Sequence, residues 1–300
     1  MPNFEEVECA VCHSKNRFEV SKKGQHNIPL SLVLCKDCGL GYLNPRWDAE
    51  SYFNFYSNEY DSYYRPSLVS EINTKDPGNS PIIHRLRTNK LLPTDFTNVL
   101  DIGSGAGESL LNVQKLFPNA NLFAIEPSEE SQKNLTDNGI KVISNDANSD
   151  WEKGSEGKYS LIILRHVLEH FLNPLEVLKK MHRSLSEDGL LYIAVPNNLL
   201  PTKNLESKWF RVVHTYYFNK YSLKNILHKS GLETIVMQEG DELNQHELFT
   251  IVKKSNVNLE LEISSNNYEE QKQVFEDGLK NDKKSLNVLK STLLNILGKY

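Results

Sequence analysis

From residue 98 onward, short apolar runs rich in Val, Ile and Leu alternate with stretches whose apolar positions recur every three or four residues. That alternation predicts strands joined by crossover helices into a parallel sheet. The expected strands are Asn98–Ile102, Asn121–Glu126, Ile140–Ser144, Tyr159–Leu164 and Leu190–Val195, followed by Leu232–Gln238 and Leu248–Lys253. Seven strands with intervening helices describe one doubly wound α/β domain. Upstream, Tyr52, Tyr56, Tyr60, Tyr63 and Tyr64 step by roughly one helical turn. They predict a helical connector whose rings either pack together or form a wall able to stack on a sugar or a base. Residues 73–81, NTKDPGNSP, are rich in breakers and predict a boundary. At the far end Phe275, Leu279, Leu286, Leu289, Leu293 and Ile296 fall at four-and-three spacing, with Asp282 the one polar residue in that register. This predicts a long amphipathic C-terminal helix that packs on the body or pairs two chains as a homodimer. The expected organisation is a small module over 1–48, a helical connector over 49–92, the α/β domain over 93–256 and the C-terminal helix over 257–300.

Composition narrows the class. A chain with 39% hydrophobic and 24% charged residues is an ordinary globular protein, neither fibrous nor wholly disordered. No apolar run reaches the 18 or so residues that a membrane span needs, and acids stand where a signal peptide wants a basic flank, so a cytoplasmic protein is expected. The net charge is −5, and residues 1–50 hold six Lys or Arg against seven Asp or Glu. That balance gives no electrostatic footprint for nucleic acid.

All four cysteines lie within the first 38 residues, as Cys9-x-x-Cys12 and Cys35-x-x-Cys38, with 22 residues between the pairs. Two such knuckles can bring four thiolates to a tetrahedral point that suits zinc, and the metal then supplies folding energy that so small a segment cannot gain from apolar burial. Two disulfides or a redox pair are the alternatives. The first is disfavoured in a reducing compartment, and the second lacks its usual thioredoxin-like unit. Four cysteines close the coordination sphere, so the expected zinc is structural.

The first α/β strand runs into Asp101-Ile-Gly103-Ser-Gly105-Ala-Gly107 and then directly into an amphipathic stretch. Glycines let the backbone turn tightly and approach a ligand, and the helix offers its N-terminal N–H groups. The last glycine comes one place earlier than in the dinucleotide fingerprint. Asp101 would repel a pyrophosphate but suits a cationic ligand, which points to a sulfonium cofactor. Glu126 closes the second strand, where a carboxylate can take both hydroxyls of a ribose. Asp146 follows the third strand and can accept from an adenine amino group.

Taken together, VLDIGSGAG, IEPS, NDA, IILRHVLEH and GLLYIAVPN resemble the class I S-adenosylmethionine-dependent methyltransferases, from about Val99 to Asn197 and more loosely to Lys253. The resemblance implies a Rossmann-like sheet of seven strands whose last two form an antiparallel hairpin. It implies S-adenosylmethionine as cofactor, with Asp101, Gly103 and Gly105 at its methionine end, Glu126 at the ribose and Asp146 at the adenine. The N-terminal cysteines followed by GLGYLNPR also look like the zinc-ribbon preface of methyltransferases in sugar and cell-surface polysaccharide pathways. Carbohydrate biosynthesis, with a nucleotide sugar or glycan as small-molecule acceptor, is the expectation that follows.

Arg165-His166-Val-Leu-Glu169-His170 follows the fourth strand, whose C-terminal end faces the ligand crevice in such sheets. Arg165 is therefore expected beside the cofactor, and His166 and His170 beside the transferred methyl. Related enzymes with E-x-x-E-H at this loop bind a divalent metal. Here Glu169 and His170 are kept, with His166 at the first glutamate position and His214 as the candidate later ligand; the alternative is that Glu169 and His170 cap and fix the helix that starts near Asn173-Pro174. His214 lies between the fifth strand and the next helix, where this superfamily commonly builds its acceptor pocket, and it is the candidate general base for a hydroxyl. A zinc-bearing RNA methyltransferase and a catalytically silent cofactor-binding module are the competing readings.

Overall fold

The computed structural model describes residues 2–64 and 80–297, so most of the breaker-rich stretch 73–81 lies outside the described residues. The chain divides into two units. One gathers Met1–Arg65, Pro196–Ser222 and Glu262–Tyr300, and the other Pro66–Val195 and Leu223–Leu261.

The second unit carries the large sheet. Its elements run α1 (Pro81–Thr88), β1 (Asn98–Ile102), α2 (Glu108–Leu116), β2 (Asn121–Ile125), α3 (Glu129–Asp137), β3 (Lys141–Ser144), β4 (Tyr159–Arg165), α4 (Pro174–Ser184), β5 (Leu185–Pro196), α5 (Lys220–Lys229), β6 (Leu232–Glu239) and β7 (Glu247–Lys254). The spatial order is β6-β7-β5-β4-β1-β2-β3. The pairs β5/β4, β4/β1, β1/β2 and β2/β3 are parallel, and β6/β7 is antiparallel. Leu161 to Leu164 in β4 are all 0% exposed. Helices covering both faces of a parallel sheet explain why that strand reads as a continuous apolar run and not as an alternation. Strand β5 begins at Leu185, five residues before the expected start. Its register with β4 is irregular between Leu185 and Leu190, and the polar Ser186, Glu187 and Asp188 that fall there carry no strand pattern.

Helix α1 starts with Pro81 in its first turn, where the missing N–H is harmless, and α3 is capped by the Ser128 side chain accepting from Ser131 N. Ile82, Ile83 and Leu86 of α1 join Val99, Leu110, Val113, Leu161, Ile163, Phe249 and Ile251 in one core. Burial of each such side chain contributes about 1.5–3 kcal/mol relative to exposure.

The first unit is built on a four-stranded antiparallel sheet of Arg17–Lys23, Pro29–Cys35, Gly41–Leu43 and Tyr216–Tyr217, with Phe4–Glu5 paired separately to Arg46–Trp47. The C-terminal helix spans Ser265–Leu297. Tyr268 and Phe275 pack with Leu32, Leu34, Phe210 and Tyr217. Asp282, the polar interruption in the helix's apolar register, accepts from the backbone N–H groups of Asn204 at 2.8 Å and Leu205 at 2.5 Å. Fully buried Gln271 donates to Asn198 O at 2.6 Å and accepts from Asn219 Nδ2 at 3.0 Å. The tyrosine-rich segment forms the helices Ala49–Asn58 and Tyr60–Tyr64. Its rings meet one another, as in Tyr56–Tyr60 at 5.0 Å and Tyr60–Tyr64 at 5.3 Å, and the Tyr52 hydroxyl donates to Val212 O at 2.8 Å. Among the described residues no helix is long and apolar enough to cross a membrane.

Candidate functional site

Two clusters concentrate the chemistry. In the first unit, the knuckles Cys9–Cys12 and Cys35–Cys38 share one local geometry. His13 N donates to Cys9 O at 2.8 Å, and Gly39 N donates to Cys35 O at 2.9 Å. Both residues four places on have positive φ, 59° at His13 and 79° at Gly39. The turns aim the sulfurs inward: Cys9 and Cys38 Sγ stand 3.4 Å apart, as do Cys12 and Cys35 Sγ, and all four lie within 4.8 Å of one another without a disulfide. Thiolates around a tetrahedral zinc at about 2.3 Å would stand about 3.8 Å apart, so this set fits that ion. Hydrogen bonding to Cys12 pushes the Cys9 and Cys38 thiols above their ordinary range, and hydrogen bonding to Cys35 pulls Cys12 below it.

In the second unit, the loop after β1 is shaped by glycines at positive φ, 72° at Gly103, 53° at Gly105 and 87° at Gly107. Gly103 N donates to Ile125 O at 2.7 Å, and a Cβ at Gly103 would come within 2.5 Å of Val167 Cγ2. A Cβ on Gly105 would meet nothing within 4 Å, so that face of the loop is open. Glu126 is 1% exposed, and its Oε2 accepts from Gly105 N at 2.8 Å while Oε1 accepts from Ser128 N at 3.0 Å. Asp101, on the adjacent strand, is likewise buried. Burial and the nearby Glu126 charge push its carboxyl well above the ordinary range, against the pull of Arg165. The buried Ser104 hydroxyl has no hydrogen-bond partner among the described residues. An open loop face, an unsatisfied hydroxyl and two buried acids that a cation would relieve are what an adenosyl sulfonium requires of its cradle. The residues present fit S-adenosylmethionine.

Asp146 is exposed, and its Oδ1 accepts from Asn148 N at 2.8 Å and Nδ2 at 2.9 Å. Arg165 and His166 stand at the end of β4, with His166 at φ 55°. Glu169 is buried in the following turn, its Oε1 3.8 Å from His166 Nδ1 and 3.9 Å from His170 Nε2. His214 belongs to the first unit, where it is 7% exposed and its ring centroid lies 6.1 Å from that of Tyr217. Sequence patterning does not single out Arg85, Asp241 and Glu247, which meet in a buried cluster behind Arg165 and His166. The available signal was Arg85 set among Ile82, Ile83 and Leu86, and a lone acid at the head of an apolar strand.

A family model described as a methyltransferase domain matches residues 69–236. No curated protein sequence matches the chain significantly. Among solved structures, the Burkholderia thailandensis 1,6-didemethyltoxoflavin-N1-methyltransferase, bound to 1,6-didemethyltoxoflavin and S-adenosylhomocysteine, superposes with a TM-score of 0.54. It is 14% identical, over 79% of this chain and 100% of that one. An S-adenosylmethionine-dependent methyltransferase from Clostridium acetobutylicum gives 0.45 at 13% identity, over 68% and 99%. One from Archaeoglobus fulgidus gives 0.46 at 20%, over 59% and 94%. With the family model spanning more than half of the sequence, the chain belongs to the methyltransferase-domain family and has the class I fold of the enzymes that take their methyl group from S-adenosylmethionine.

Proposed function

We propose that this methyltransferase modifies a hydroxyl of a sugar-bearing small molecule, such as a nucleotide sugar or a glycan, and that its four cysteines hold a structural zinc. The observation that carries the cofactor half of this reading is the loop between Asp101 and Glu126, with its open Gly105 face and the unsatisfied Ser104 hydroxyl. Bound S-adenosylmethionine supplies a methyl already activated by its positive sulfur. The work left to the protein is to align, to exclude water and, for a hydroxyl acceptor, to remove one proton.

Asp101 and Glu126 supply the negative field and the ribose acceptors. Asp146 stands for the adenine contact, although its exposed carboxylate already serves a local turn. Imidazole is the side chain suited to taking a hydroxyl proton near neutral pH, and buried His214 is the residue this reading assigns to that step. The zinc has no open position once four thiolates surround it, so its contribution is to hold the N-terminal knuckles together.

The test is incubation with methyl-labelled S-adenosylmethionine and fractionated metabolites. Label entering nucleotide sugars or glycans supports the acceptor class, and label entering only RNA, or nothing, overturns it. With an acceptor in hand, His214→Ala should abolish turnover while calorimetric cofactor affinity stays within about twofold of the wild type. Undiminished turnover removes His214 from the mechanism.

A further inference from the structure

Strand β7 brings to the sheet a carboxylate that the cofactor cradle does not account for. Glu247, its first residue, is fully buried and meets three cations. One oxygen, Oε1, lies 2.7 Å from His166 Nε2 and 3.6 Å from Arg165 Nε, and the other accepts from Arg85 Nη1. Arg85, itself 1% exposed, forks onto Asp241 at 2.6 and 2.9 Å, donates to the Tyr192 hydroxyl at 2.6 Å and lies over the Phe249 ring at 4.2 Å. Asp241 is fixed in turn by the N–H groups of Leu243 and Asn244 at 3.1 and 2.9 Å.

Bulk stability is a poor reason for such a cluster. Desolvating several charges offsets most of their mutual attraction, and well-packed apolar residues would hold α1 against the sheet as firmly. The geometry at the other end of the cluster gives a better one. His166 is not glycine, yet its φ is 55°, a left-handed conformation that costs about 1 kcal/mol. Its N–H is tied to Ala194 O at 2.8 Å and its ring to Glu247. Backbone strain of this kind persists where the surroundings over-determine it, and it marks functional positions. Arg165 is the preceding residue. It stands two places beyond Ile163, which pairs with Asp101 across β4 and β1, and 3.6 Å from Glu247, and its charge opposes the rise in the Asp101 pKa. Signs therefore alternate along Asp101, Arg165, Glu247, Arg85 and Asp241.

We propose that Glu247, braced by Arg85, is a positioning residue of the cofactor site: it pins the Arg165 guanidinium and the His166 ring at the C-terminal end of β4, facing the Asp101 loop. The inference rests on the reading of that loop as an S-adenosylmethionine cradle. Glu247 touches no cofactor atom and acts through its two neighbours.

The experiment compares Glu247→Gln with Asp241→Asn in the full chain. Asp241→Asn disturbs the same Arg85 without touching Arg165 or His166, so it measures the purely structural share. Glu247→Gln is expected to weaken S-adenosylhomocysteine binding about tenfold by calorimetry, the size of one charge-assisted contact, with Glu247→Asp recovering much of it. Asp241→Asn should lower the melting temperature while leaving affinity within about twofold. In 15N spectra of the histidine side chains, with His166 assigned by His166→Gln, Glu247→Gln should shift or broaden the Nε2 signal, and Asp241→Asn should leave it in place. Should Glu247→Gln fail to fold, Arg85→Lys, which keeps the charge but gives up the Nη1 contact that braces Glu247, is expected to weaken binding in the same direction. Equal affinity losses in Glu247→Gln and Asp241→Asn, or an unmoved His166 signal in Glu247→Gln, overturn the proposal. If the wild type takes up no cofactor, the reading of the cradle fails, and the His166 signal still decides whether Glu247 positions that ring.

Discussion

The four thiols of the first unit and the carboxylates of the second both gather buried acids, and they neutralise them differently. Cys9, Cys12, Cys35 and Cys38 converge within 4.8 Å, all of one acidic kind, a set that a bound cation would neutralise. Glu247 and Asp241 carry their cations with them as Arg85, Arg165 and His166. Asp101 and Glu126 stand in between, the Arg165 charge opposing the rise in the Asp101 pKa but leaving that carboxyl pushed up. A self-neutralised cluster can position neighbouring groups, whereas an under-neutralised one is ready for a charged ligand.

The largest effect should come from the four-cysteine cluster. One zinc per chain is expected by metal analysis of the purified protein, and Cys38→Ser or a strong chelator should remove it. Losing a structural zinc forfeits a binding free energy of about 10 kcal/mol, so the N-terminal knuckles should unfold, visible as new protease sites between Cys9 and Cys38. An untouched digestion pattern after complete metal removal would show that the knuckles hold without it.

Next in size is the self-neutralised cluster. Arg85→Met leaves Asp241 and Glu247 buried without their main partner, and urea denaturation should register a loss of about 3–5 kcal/mol. A loss under about 1 kcal/mol would mean that the cluster relaxes or takes in water.

For the intermediate case, Asp101→Asn removes one negative charge near the expected sulfonium. Affinity for S-adenosylmethionine should fall by about 1.5–3 kcal/mol, and affinity for the uncharged thioether of S-adenosylhomocysteine should fall less. Equal losses for the two ligands would remove Asp101 from charge recognition.

The smallest effect is a pH dependence. Against burial, which opposes it, Glu169 and Glu247 push the His166 pKa up to about 9 from an ordinary 6.5. A raised pKa in the folded state means that this stabilisation is complete below about pH 6.5 and fades as pH climbs through 9. The ring is 38% exposed, so after solvent screening the contribution is about 1 kcal/mol. Wild type should lose that increment between pH 6.5 and 9 in urea titrations, and His166→Gln should show a flatter profile. Parallel profiles would contradict the assignment.

Much of the second unit was legible in sequence because its signals are local. The apolar run at Leu161–Leu164 marks a strand covered on both faces, and the glycines at 103, 105 and 107 mark a turn that needs positive φ. The paired Cys-x-x-Cys spacing likewise foretold a four-sulfur cluster. Asp282 was visible as an exception in the helix register, but its purpose was not, because its partners Asn204 and Leu205 lie far away along the chain. The same holds for Arg85, Asp241 and Glu247, whose association is set by sheet order and not by spacing. Nor does any periodicity reveal that 196–222 and 262–300 fold with the N-terminal residues, since the links are a two-residue strand, Tyr216–Tyr217, and scattered side chains such as Phe210, Phe275, Gln271 and Asn219.

Whether β1 and β2 end in a cofactor cradle can be decided by calorimetric titration of the intact chain with S-adenosylmethionine. A single saturable site, weakened in Asp101→Asn and in Glu126→Gln, is the expected outcome. Absence of saturable heat in the wild type, or binding that both substitutions leave unchanged, would contradict it.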